Sequence, residues 1–134
     1  MAKSSGDTRN VVPRLAAAAV AAMVVNALVA LIAKAIDTHG TDMGLMPAAY
    51  LSLTLIGVVV GALGWLLILR FRPSALRIVV PVALVITWIP DLLLLGQGAT
   101  AGNVVGLMLM HVVVTAAVVS ALYRTLPARR EAAV

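Results

Sequence analysis

Four apolar stretches make up most of the chain, and the polar residues gather in short clusters between them. The clearest stretch runs from Ala48 to Leu69, twenty-two residues without a charge, and is followed at once by Arg70-Phe71-Arg72-Pro73. At about 1.5 Å per residue a helix of this length covers roughly 33 Å, against a hydrocarbon core of about 30 Å. A membrane-spanning helix is predicted, because a helix satisfies its own backbone N–H and C=O groups where water is absent. The other stretches read the same way, giving spans at about 13–35, 47–69, 75–95 and 104–125, with polar tails at 1–10 and 127–134. The predicted fold class is all-α, one integral membrane domain of four helices.

Local chemistry refines these elements. Pro13 falls where a helix accepts it, in the first turn. The apolar run from Leu15 to Ala33 is nineteen residues, longer than the roughly 7 to 15 of a secretory signal, so a retained helix is expected. The connection from Ile36 to Met46 holds Asp37, His39, Gly40, Asp42 and Gly44, which favour turns. Tyr50 and Trp65 sit near the two ends of the second span and suit the two lipid headgroup levels. Ser74 is the expected N-cap of the third helix. Pro81 and Pro90 interrupt that helix's hydrogen bonding. The stretch from Gly96 to Asn103 is uncharged and is expected to be a flexible loop.

Charge orients the spans. With 63% hydrophobic and 11% charged residues the chain lies far outside soluble-domain composition. Nine of its ten basic residues, all but Lys34, fall on one side of a four-span arrangement. Positive charge marks the cytoplasmic side. Both termini are therefore expected in the cytoplasm, with the protein multi-pass in the cell membrane. Short connections favour antiparallel neighbours, hence an antiparallel four-helix bundle. The net charge of +5 is spread beside apolar spans, which points to the lipid bilayer as partner and to no nucleic acid. The absence of cysteine excludes disulfides and thiolate chemistry.

At the fourth span, Leu107-Met108-Leu109-Met110-His111-Val112-Val113-Val114 followed by Leu122-Tyr123-Arg124 adds a further likeness. Together with the alanine-rich first span and Gly64-Trp65 closing the second, these residues resemble a family of small actinobacterial four-span membrane proteins classed as a domain of unknown function. The resemblance implies four helices and a membrane location, and it carries no activity.

Candidate chemistry is confined to a few side chains. An ionisable group inside a membrane is costly and calls for a partner or a role. Asp91 and His111 are the two such groups, and counting from the helix ends puts Asn26 and Thr87 near their level. One polar layer of Asn26, Thr87 and His111 with Asp91 above it is the expected site. It serves either to fix helix register or to bind a proton or small cation. Gly57, Gly61 and Gly64 form a small-residue stripe suited to close helix packing, within the chain or against a second copy. Association through that stripe requires it to be exposed on the monomer. Met43, Met46, Met108 and Met110 with His39 and His111 match no metal-ligand spacing, so no metal and no cofactor are expected. No Ser-His-Asp grouping, H-E-x-x-H or phosphate loop is found, and the one glutamate lies in the tail. The expected function is therefore non-enzymatic: a small helical membrane protein that self-associates or packs with a larger membrane partner. The alternative is a proton-coupled or small-cation transporter or binding protein using Asp91 and His111.

Overall fold

The computed structural model describes residues 10–39 and 42–126. The expected tails therefore lie, Asn10 apart, outside the described residues. Four α-helices follow in order: α1 (Val11–Ile36), α2 (Pro47–Phe71), α3 (Leu76–Leu93) and α4 (Ala101–Leu122). Short 3₁₀ turns at Pro73–Ala75 and Leu94–Gln97 flank α3, and a third at Tyr123–Thr125 follows α4. Among the described residues there is no strand. With their 3₁₀ turns included, all four helices are long and apolar enough to cross a membrane.

The helix ends follow local chemistry, with two departures from expectation. Pro47 opens α2 at its first position, where a missing N–H costs nothing. At α3, Ser74 does not cap the helix. It lies inside the 3₁₀ turn begun by Pro73, whose ring presets a helical φ, and no side chain caps α3. The stretch expected as a loop from Gly96 to Asn103 is mostly ordered. Gly98 takes a positive φ of 92° that ends the preceding 3₁₀ turn. Thr100 then caps α4 by accepting from the Asn103 N–H at 3.3 Å, so the helix starts three residues before the expected 104. Trp65, near the end of α2, faces inward and is buried among the helices. Its indole N–H would be orphaned there, and it donates to Thr125 Oγ1 at 3.1 Å.

α4 is the central helix: it packs on each of the other three. Its closest partner is α1, which turns one stripe of small residues inward: Ala19, Ala22, Asn26, Ala30 and Ala33. Their spacing of three and four keeps them on one face. Opposite them, Gly106 of α4 lets the backbones approach so closely that a Cβ built on it would stand 3.0 Å from the Ala33 methyl group. α2 uses its own small residues against α4 in the same way. A Cβ on Gly57 would lie 3.0 Å from Val114 and one on Gly61 3.2 Å from Val118, whereas Gly64 has nothing within 4 Å. Two apolar clusters result. Ala19, Val58, Ala62, Trp65, Leu76, Val118, Ala121 and Leu122 fill the end near the arginines. Ala30, Ala33, Leu45, Leu107 and Met110 fill the other. The outward faces are apolar as well, as in Leu28, Leu31, Leu63, Leu67, Ile78 and Leu93.

α3 is the least buried of the four. It packs on α4 and barely meets α2, leaving a groove of about 360 Å³ between α2 and α3 with α4 as its floor.

The glycine contacts make a direct test. Gly57→Leu and Gly61→Leu should each destabilise the fold by about 1 to 3 kcal/mol through overpacking. Gly64→Leu should change it by less than about 0.5 kcal/mol. Detergent-denaturation curves followed by circular dichroism read the difference, and an equal loss at Gly64 would contradict this packing.

Candidate functional site

The side chains that link α3 to α4 build the site. Trp88 and Asp91 are three residues apart on one face of α3, and Met108 and His111 are three apart on the facing side of α4. Trp88 Nε1 donates to the Met108 carbonyl at 3.2 Å. One turn on, Asp91 Oδ2 stands 3.0 Å from His111 Nδ1. α3 runs on through Pro90 as far as Leu93, so Asp91 is held within the helix and buried.

The imidazole has a defined orientation. His111 Nδ1 is also 3.0 Å from the Leu107 carbonyl of its own helix. Leu107 O can only accept, and so can an ionised Asp91, so Nδ1 carries the hydrogen. That hydrogen is aimed along the helix at Leu107, which leaves Asp91 Oδ2 close to the ring without a well-directed bond, an ion pair only when the ring is protonated. Nε2 has no protein partner among the described residues, and the ring, 38% exposed at its side chain, also lines the α2–α3 groove. The pair thus joins a buried carboxylate to a ring with one nitrogen open for a proton.

The expected single polar layer is divided. Asn26 is fully buried and its Nδ2 donates to Thr54 Oγ1 at 2.7 Å, a contact between α1 and α2. Among the described residues Asn26 Oδ1 has no hydrogen-bond partner. Thr87, placed in that layer by its depth, is exposed and donates back to the Leu84 carbonyl at 2.7 Å. A helical threonine facing apolar surroundings satisfies itself in this way. It lines the groove with His111, its hydroxyl satisfied within its own helix. Thr54 and Trp88 are the residues that sequence reading missed. One threonine among many gives no signal until the facing helix is known.

A second polar cluster went unseen in the sequence. Lys34 Nζ pairs with Asp42 Oδ1 at 2.8 Å. Asp37 leans so closely on Gly102, in the first turn of α4, that a Cβ there would lie 2.9 Å from the Asp37 Cβ. The negative carboxylate suits the positive end of that helix. Buried Asn103 donates its Nδ2 to the Met43 carbonyl at 2.9 Å, tying the first connection to α4. Gly44 completes the tie: it holds a positive φ of 73°, and its Cα face rests on Leu107. Among the described residues no three His, Asp or Glu side chains converge on one point. The stripe of Gly57, Gly61 and Gly64 is largely used within the chain, with only Gly64 open.

The division of the polar residues is measurable. A double-mutant cycle of Asn26→Ala with Thr54→Ala should give a coupling near 0.6 and no more than about 1.7 kcal/mol. The cycle of Asn26→Ala with Thr87→Ala should be additive within about 0.5 kcal/mol. Unfolding in mixed micelles gives both, and the opposite pattern would restore the single layer.

Neither the curated proteins nor the solved structures include a match to this chain. A family model does match, over residues 6–128, and so takes in all four helices together with Asp91 and His111. The chain belongs to a family of unknown function, DUF6069.

Proposed function

We propose that this is a non-enzymatic protein of the bacterial cell membrane whose Asp91–His111 pair takes up and releases a proton. The observation that carries the reading is the 3.0 Å approach of two ionisable side chains from different membrane-spanning helices. Such groups are rare in hydrocarbon and mark proton or ion sites. A histidine is the side chain whose charge changes most readily near neutral pH. With the Nδ1 hydrogen given to Leu107, a proton arrives at Nε2, and the carboxylate beside the ring offsets the new charge.

The proposed architecture is an antiparallel four-helix bundle with both termini cytoplasmic. Its support is the arginine asymmetry, together with contacts such as Ala33 of late α1 against Gly106 of early α4. In that orientation the pair lies in the outer half of the bundle. The spans hold no other acidic residue, so a relay across the inner half has no carboxylate to use. The site is accordingly one of binding and release rather than a complete conduction path. Self-association or packing with a larger partner has less support, since Gly57 and Gly61 already hold Val114 and Val118.

Nitrogen-15 NMR of the two histidines in nanodiscs, taken across about pH 5 to 8, tests the proposal. His39, exposed in the first connection, is the internal reference. The His111 ring resonances should move with pH, and the profile should change in Asp91→Asn. A ring whose signals stay fixed and ignore that substitution would reduce the pair to a packing contact.

A further inference from the structure

The groove between α2 and α3 lies apart from the proton site over most of its length, and its shape and charge fit one class of ligand. Its walls are Gly61, Gly64 and Ile68 on one side and Leu76, Ala83 and Leu84 on the other. Its polar lining residues, Thr87, His111 and Thr115, lie toward the end away from the arginines. From Gly57 to Ile68 the groove follows twelve residues of helix, a rise of about 17 Å. That is close to half of a hydrocarbon core of about 30 Å, the depth of one leaflet.

The lining narrows the choice of occupant. The groove is open along one side and mostly apolar, with Val114, Val118 and Val119 of α4 along its floor. A single extended hydrocarbon chain matches both its length and its lining.

Charge selects the headgroup. The groove reaches Ile68 and Leu76, the residues flanking the α2–α3 connection, and that connection and its borders carry Arg70, Arg72 and Arg77. All three are exposed and none has a partner among the described residues. The start of the third membrane-spanning segment, at Pro73, lies between them. Three guanidinium groups at headgroup depth attract anionic lipid, and guanidinium binds phosphate through paired hydrogen bonds.

We propose that this groove is a binding site for an anionic phospholipid, one acyl chain lying between α2 and α3 and the phosphate resting on Arg70, Arg72 and Arg77. The chain fills the space that Gly64 leaves empty and takes the place of the missing α2–α3 contact. The lipid thereby acts as a structural element holding α3 at its distance from α2.

The test uses the full chain in phosphatidylcholine vesicles containing a small fraction of phosphatidylglycerol with a diazirine in its acyl chain. A parallel set carries the same diazirine on phosphatidylcholine. Peptide mapping after photolysis should concentrate the phosphatidylglycerol label on Gly64, Ala83 and Leu84. Replacing Arg70, Arg72 and Arg77 by glutamine should lower that preference by about fivefold for each charge removed. Gly64→Phe, which fills the groove, should abolish the groove label and leave label on outward-facing Leu63 and Leu67. Should that variant fail to fold by circular dichroism, Ala83→Phe fills the groove from the opposite wall. Label spread evenly over the outward faces would overturn the proposal, as would equal labelling by the two lipids. So would groove residues cross-linked to a second copy of the chain.

Discussion

Inside hydrocarbon, helices gain nothing by expelling water from between them, so close packing has to supply the attraction. This fold depends on how near its helices come to α4. Five small or short side chains of α1 lie along one stripe against it, Gly57 and Gly61 of α2 receive Val114 and Val118, and Gly106 receives Ala33. Each of these contacts exists because a larger side chain is absent. Bulky residues are turned outward, where lipid solvates Leu28, Leu63 and Ile78 as well as a protein core would.

With the backbones so close, the few polar side chains between helices have partners only where one happens to face them. Asn26 meets Thr54, Trp65 meets Thr125, Trp88 meets a carbonyl of α4 and Asp91 meets His111. Three of these four links are made to α4 or the turn that follows it. α3 is the exception to small-residue packing: it is bound to α4 by Trp88 and Asp91 near one end and by Leu76 near the other. The groove is the result of that arrangement. A polar contact sets its own spacing, and here it leaves α2 and α3 apart along one leaflet's depth.

Much of this was readable from the residues, and the part that was not has a physical cause. Uncharged runs of membrane-spanning length located four helices within a few residues, because length and hydropathy are properties of single segments. Helix starts that depend on contacts between segments were missed. α4 begins at Ala101 because Thr100 caps it and Asn103 is drawn to Met43, and neither event is visible in an uncharged glycine-rich stretch. Depth was legible and rotation was not. Asp91 and His111 were identified as ionisable groups at similar depth, and they do meet. Thr87 shared that depth but turned to its own helix, while Asn26 turned to a threonine of α2 that nothing in the sequence singled out. The apolar faces are too uniform to tell which side of a helix points inward. The small residues of α1 that set its rotation read as mere alanine content.

The account stands on the polar side chains forming separate pairs across helix seams, with Asp91 and His111 as one of them. The chain has no cysteine, so paired cysteine substitutions can be cross-linked without background. The most direct measurement is cross-linking by a short bifunctional thiol reagent in native membranes. Asp91→Cys with His111→Cys should be joined efficiently within one chain, and Asn26→Cys with Thr87→Cys should not. Failure of the first pair, or joining of the second as readily as the first, would contradict the arrangement on which the proposed proton site rests.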